Sequence, residues 1–81
     1  MKIRVLAFGP LSELGHALPS ELELPGGATV AVALDALRAA VPGLEPRLGS
    51  LACAVDAAYV RRDRVLAAGE TLALIPPVSG G

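Results

Sequence analysis

The sequence is poor in side chains that bind metals or form disulfides. Its 81 residues include one cysteine and one histidine, which cannot make an internal disulfide or complete a structural zinc site. It has no tryptophan, and one phenylalanine and one tyrosine are its only aromatic residues. We therefore expect no bound metal.

An excess of basic charge is also missing. Seven Lys and Arg residues nearly balance eight Asp and Glu residues, and the net charge is -1. Nucleic-acid-binding domains use basic patches on phosphates and aromatic side chains on bases. The composition therefore predicts no nucleic-acid partner.

Long apolar runs are absent as well. The longest stretches without a charge, 24–34 and 71–81, are eleven residues each, and a bilayer span needs about 20 residues. The first residues reach Gly9-Pro10 after only a short apolar stretch, which is not the pattern of a signal peptide. We expect a cytoplasmic protein with no membrane partner.

What the sequence does contain predicts one small domain with both strands and a helix. Apolar residues make up 53% of the chain and charged residues 19% with nearly balanced signs, so the chain as a whole is not a disordered acidic or basic tail. Residues 2–8 alternate as a strand, with one set predicted to face the core (Ile3, Val5, Ala7) and the other set to face away (Lys2, Arg4, Leu6, Phe8). Residues 17–24 predict a second strand, which could form a hairpin with the first.

One amphipathic helix follows the Pro25-Gly26-Gly27 break. Thr29 is a candidate N-cap, Pro42-Gly43 is a stop signal, and one helical stripe is apolar (Val30, Leu34, Leu37, Val41). Residues 45–49 are predicted to form a loop or short turn. Further strands are predicted at 51–55 and 71–75, with short extended pieces at 59–61 and 65–66.

With one helix available, we predict an α+β fold in which that helix covers one face of a mixed sheet of four to five strands. The predicted domain spans residues 1–75. Residues 76–81 are predicted to form a flexible tail, because Pro76 and Pro77 cannot continue a sheet ladder.

The tail ends in two glycines and has no charged side chain. Val78 is its one apolar anchor, and Gly80 and Gly81 have no side chains, so the terminal carboxyl could enter a slot as narrow as a backbone. Such an end could also be an ordinary frayed terminus. The combination of two prolines, no charge and two glycines favours a tail that delivers its carboxyl to a partner.

Over essentially its whole length, the chain resembles the small, sulfur-carrying subunit of molybdopterin synthase, in the MoaD/ThiS family of ubiquitin-like sulfur carriers, and two segments carry the resemblance. These are Val5-Leu6-Ala7-Phe8-Gly9-Pro10-Leu11-Ser12-Glu13-Leu14 and the stretch from Gly69 to Gly81, which ends Ile75-Pro76-Pro77-Val78-Ser79-Gly80-Gly81. Asp56 stands where such proteins often have Asn, and Glu70 where they often have Asp. The resemblance implies the β-grasp, or ubiquitin-like, topology, with the first and last strands adjacent at the centre of the sheet.

The resemblance also implies a function. Gly81 would be adenylated by an ATP-dependent adenylyltransferase of the ubiquitin-activating type and converted to a thiocarboxylate. The tail (Pro76, Pro77, Val78, Ser79, Gly80) would then insert into the large catalytic subunit, in a heterotetramer of two small and two large subunits. There the sulfur would pass to cyclic pyranopterin monophosphate. The chain itself would be neither catalytic alone nor bound to a cofactor.

Two side chains are predicted to form a partner-docking patch. Phe8 and Ile75 have the strand parity of the face away from the helix, and they would be neighbours if the first and last strands are adjacent. They could instead fill a secondary core. Tyr59 joins this patch because the resembled family has a large residue there.

Other polar candidates have simpler explanations. Cys53 shares its parity with Leu51 and Val55, which favours a buried small hydrophobe over a persulfide carrier. His16 is expected in a solvated loop. Arg61, Arg62 and Arg64 surround Asp63 and are more typical of an exposed turn than of a phosphate site.

Three alternatives remain open from the sequence. The chain could be a modifier whose Gly81 forms isopeptide bonds with lysines. It could carry sulfur for thiamine thiazole synthesis or tRNA thiolation. It could also be a binding module with an incidental tail.

Overall fold

The computed structural model describes residues 1–8 and 18–76, which form a mixed five-stranded sheet with one α-helix on one face. The strands are β1 (Lys2–Ala7), β2 (Glu21–Glu23), β3 (Ala52–Val55), β4 (Ala58–Val60) and β5 (Thr71–Ile75). Helix α1 spans Val30–Ala40, and a 3₁₀ segment spans Pro42–Ser50.

The first and last strands lie side by side at the centre of the sheet. The strand order is β2-β1-β5-β3-β4, in which β1 and β5 are parallel and the other neighbours are antiparallel. Val5 lies opposite Leu72, and Ala7 lies opposite Leu74. This is the β-grasp topology, and the predicted fold class is confirmed.

The helix packs on the sheet through the stripe predicted from its spacing. The Thr29 hydroxyl accepts a hydrogen bond from the Val32 N–H and caps the first turn. The core formed between helix and sheet includes the six most deeply buried large side chains (Ile3, Val30, Leu37, Leu44, Leu72, Leu74). The alternation predicted for β1 is confirmed at Ile3, which is fully buried, and at Leu6 and Phe8, which are exposed.

Two predicted elements differ from the structure. The second strand is limited to Glu21–Glu23, because Pro19 has no N–H to donate to a ladder; Ala17 lies outside the described residues. Residues 42–50 form a nine-residue 3₁₀ segment rather than a loop or short turn. Leu44 has no exposed surface and anchors that segment in the core. Pro42 and Pro46 interrupt any periodic pattern in this part of the sequence, so the burial of Leu44 was not predicted.

The last strand ends at Ile75, as its pattern predicted, and Pro76 follows it. The predicted loop around His16 and the tail residues from Pro77 to Gly81 lie outside the described residues. The division into a domain of residues 1–75 and a tail of residues 76–81 therefore stays a prediction.

Two features are absent from residues 1–8 and 18–76. No helix there is both long enough and apolar enough to span a bilayer. Over the same residues, no three His, Cys, Asp or Glu side chains come together as metal ligands.

Candidate functional site

The face of the sheet opposite α1 carries an apolar groove, which we call the open-face groove. One row of side chains crosses four strands at its middle, because strand register places Leu6 opposite Ala73, Ala73 opposite Ala54, and Ala54 opposite Tyr59. The two outer members of this row are large and the two inner ones are small. The row therefore forms a trough about 14 Å wide, which is three strand spacings.

The trough is a cavity of about 440 Å³ that is open to solvent. Leu6 and Phe8 form one wall, and Tyr59 forms the other. The floor and ends are completed by residues of β3, β5 and the β3–β4 turn (Ala54, Asp56, Ala57, Thr71, Ala73, Ile75). The walls are unusually exposed for such side chains, with 46% of Phe8 and 74% of Tyr59 accessible to water.

The structure brings together the three side chains predicted for the docking patch. Phe8, Tyr59 and Ile75 all line the open-face groove. Phe8 and Ile75 are adjacent because β1 and β5 are neighbours, and the Phe8 N–H donates a 3.1 Å hydrogen bond to the Leu74 carbonyl. The secondary-core alternative does not fit Phe8, which remains nearly half exposed. Docking itself stays a prediction.

The groove opens beside the residue that leads into the tail. Ile75 lines it, and Pro76 follows directly at the end of β5. A partner seated in this groove would therefore contact the chain immediately before residues 77–81. The remaining predicted site residues, Pro77, Val78, Ser79, Gly80 and Gly81, lie outside the described residues.

A tight turn between β3 and β4 forms one end of the groove. Asp56 and Ala57 both have left-handed backbone conformations, with φ of 53° and 62°. Two consecutive positive φ values are typical of a two-residue hairpin turn whose twist matches its strands. The turn sets Tyr59 opposite Ala54, and so it fixes the spacing between the groove wall and floor.

An ion pair holds the start of β5 in place. The Arg64 guanidinium donates two hydrogen bonds to the Glu70 carboxylate, at 2.8 and 2.9 Å, and the Ala67 N–H donates a third at 2.7 Å. These bonds lower the pKa of Glu70 to about 2, with Arg64 as the largest cause and Ala67 next. Thr71, the next residue, lines the groove.

Cys53 and Arg62 do not line the open-face groove, and each contributes to the packing of the fold. Cys53 is 4% exposed on the helix side of β3, and burial raises the pKa of its thiol while the positive charge of Arg62 opposes that rise. Its prediction as a buried hydrophobe fits this position. Arg62 donates to the carbonyls of Leu48 and Leu51 and so ties the β4–β5 connection to the end of the 3₁₀ segment.

Sequence reasoning did not identify the groove floor. Ala54 and Ala73 are small apolar residues with no chemical signature, and Leu6 was assigned only to the face away from the helix. The available signal was parity: Leu6 shares its face with Phe8, and Ala73 shares its face with Ile75. Their register across β5 was needed to place them in one row.

Comparison with known proteins agrees with the fold. Residues 5–81 match the model of the ThiS family. The chain is 32% identical to a molybdopterin synthase sulfur carrier subunit from Arabidopsis thaliana, covering 100% of this chain and 84% of the relative. It is 40% identical to small archaeal modifier protein 1 from Haloferax volcanii, covering 91% of this chain and 94% of the relative.

Solved structures of the same two kinds of protein resemble this chain in fold. The crystal structure of the Haloferax volcanii modifier superposes with a TM-score of 0.85 at 32% identity, covering 100% of both chains. A complex of subunits 1 and 2 of molybdopterin-converting factor from Helicobacter pylori contains a chain with a TM-score of 0.68 at 26% identity, again covering 100% of both chains.

Proposed function

Since the chain belongs to the ThiS family, we propose that it is the sulfur-carrier subunit of molybdopterin synthase. The observation that carries this proposal is the open-face groove, which adjoins the strand end that leads into the diglycine tail. Two relatives at 32% and 35% identity are molybdopterin synthase sulfur carrier subunits. A small sulfur-carrying subunit needs a surface for its partner and a reactive chain end, and it needs no catalytic side chain of its own.

The proposed chemistry takes place at Gly81. A free carboxylate is a poor electrophile, so an ATP-dependent adenylyltransferase first joins it to AMP and releases pyrophosphate. Hydrosulfide then attacks the acyl carbon and AMP leaves, which produces a thiocarboxylate; a persulfide would first give an acyl disulfide, which a thiol reductant must cleave to release the same product. In the large subunit, that sulfur passes to cyclic pyranopterin monophosphate.

The proposed partner is the large catalytic subunit, docked on Leu6, Phe8 and Tyr59. These side chains offer an exposed apolar surface on a rigid sheet, as is typical of the centre of a protein interface. The groove positions the partner at Pro76, so that the few residues beyond it could thread into an active site. We further propose a heterotetramer of two small and two large subunits, formed in the cytoplasm.

Intact-mass spectrometry and affinity capture test the proposal. The chain purified from its native cells should show the mass gain of one sulfur replacing one oxygen, and iodoacetamide should alkylate that sulfur. The large synthase subunit should be captured with it. Capture of only a thiazole synthase or a tRNA-thiolating enzyme would refute the assignment to molybdopterin synthase.

A second candidate function is covalent protein modification. The 40% identity to small archaeal modifier protein 1 favours it. Both functions begin with adenylation of Gly81, and they differ in whether sulfur or a lysine amine displaces AMP. A ladder of high-mass conjugates that contain a Gly81 isopeptide bond, without free thiocarboxylate, would support the modifier over the sulfur carrier.

A further inference from the structure

A basic corner adjoins the open-face groove at the end away from the tail. Arg4 lies on β1 two residues before the wall residue Leu6 and faces the same side of the sheet. Strand register places Arg4 opposite Thr71, which lines the groove. Lys2 lies on the same face, one row further from the tail.

Two carboxylates of β2 lie opposite these two cations. Glu21 lies opposite Arg4 on β2, but its Oε1 atom is 3.9 Å from the Lys2 ammonium nitrogen. The next carboxylate on β2, Glu23, is 2.8 Å from the ammonium group of Met1. Among residues 1–8 and 18–76, Arg4 makes no ion pair.

The corner therefore presents a guanidinium that has no ion-pair partner among these residues. It lies beside an apolar trough whose lining carboxylate at this end, Asp56, is on the far side of Thr71 from Arg4. A guanidinium in this position could bind a carboxylate through two parallel hydrogen bonds. Complementary charge at the rim of an interface accelerates association and fixes the orientation of the partner.

We propose that Arg4 is a specificity residue, which selects a partner that brings a carboxylate to this corner while an apolar segment fills the open-face groove. The inference rests on the proposed function, because it takes the large synthase subunit as the occupant. An apolar trough alone could accept a segment in either direction. Since Arg4 and Pro76 lie at opposite ends of the groove, a carboxylate at Arg4 fixes the direction in which the tail meets the partner.

The test is a titration of the large subunit from the same organism with the wild-type chain, Arg4→Gln, Arg4→Glu and Arg47→Glu. Arg47 lies on the 3₁₀ segment and outside the groove, so Arg47→Glu matches the charge change of Arg4→Glu. At about 0.05 M salt, Arg4→Glu should raise the Kd roughly tenfold through slower association, and Arg4→Gln should have a smaller effect. At about 0.5 M salt the difference from wild type should shrink, because exposed charges are then screened.

Two results would overturn the inference. One is equal binding by Arg4→Glu and Arg47→Glu, and the other is tighter binding by Arg4→Glu, which would indicate a basic partner surface. Phe8→Arg separates this failure from that of the proposed function. If Phe8→Arg abolishes binding while Arg4→Glu does not change it, the partner stands and the role of Arg4 falls.

A second copy of the chain is the other occupant to test. Sedimentation of the chain alone should give a monomer at concentrations well above the Kd for the large subunit. A dimer that Phe8→Arg dissociates would show that the groove accepts a second copy, and it would overturn the assignment of Arg4 to the large subunit.

Discussion

Phe8 and Leu74 are joined by a 3.1 Å hydrogen bond from the Phe8 N–H to the Leu74 carbonyl. This bond extends the pairing of β1 and β5 by one residue beyond Ala7. It holds a half-exposed aromatic side chain beside Ile75, one residue before Pro76. One wall of the open-face groove and the end of β5 are therefore fixed to each other by backbone geometry.

Replacing Phe8 with Arg should weaken binding to the large subunit by more than about 2 kcal/mol, the size expected at an interface hot spot. The charged side chain would lie in the wall of an apolar groove, where a docked partner would remove it from water. Folding should be nearly unchanged, because Phe8 is 46% exposed. Calorimetric titration measures the effect, and unchanged affinity in a folded variant would remove Phe8 from the interface.

Deleting Gly81, or adding one residue after it, should abolish adenylation. Either change moves the reacting carbon by about 3.5 Å, which is well outside attacking distance in a fixed active site. Thermal unfolding should be unaffected, as expected for a change confined to a chain end. ATP–pyrophosphate exchange with the activating enzyme reports the step, and near-normal sulfur loading by either variant would exclude the terminal carboxyl as the carrier.

Replacing Cys53 with Ala should leave sulfur loading intact. The thiol is buried on the core side of β3, and burial raises its pKa, so little reactive thiolate forms at neutral pH. The unfolding free energy should fall by about 1 kcal/mol through loss of a small buried group. Loss of loading in a folded Cys53→Ala variant would instead indicate a persulfide on this residue.

Replacing Glu70 with Gln should destabilise the fold at neutral pH by about 1 to 2 kcal/mol, because charge-assisted hydrogen bonds from Arg64 and Ala67 are weakened. The pKa of Glu70 is lowered from 4.5 to about 2 in the folded chain. Its stabilising effect is therefore complete above about pH 4.5 and is lost as the pH falls toward 2.

Urea unfolding of the wild type and of Glu70→Gln, measured across this pH range, tests whether ionisation of Glu70 stabilises the fold. The two proteins should differ most near neutral pH and converge near pH 2. Glu45→Gln is a control, since Glu45 forms an exposed ion pair with Arg38 on the helix side. A constant difference between wild type and Glu70→Gln from pH 7 to pH 2 would contradict the assigned role of the carboxylate.

Much of this fold follows from local patterns in the sequence. Alternation in β1, the stripe on α1 and the run from Thr71 to Ile75 each identify an element, because burial on one face imposes a period on the chain. The same alternation assigned Phe8 to the face away from the helix. The diglycine tail is likewise visible in sequence, because it depends on residue type alone.

The open-face groove was decided by tertiary structure. Leu6, Ala73, Ala54 and Tyr59 come from four strands, and only the strand order and register align them in one row. A shift of one residue in any pairing would turn that strand's side chains to the opposite face. Pairing between distant segments depends on how the whole core packs, so no local pattern specifies it; the sequence determined which faces are apolar, and the sheet determined which of those residues meet.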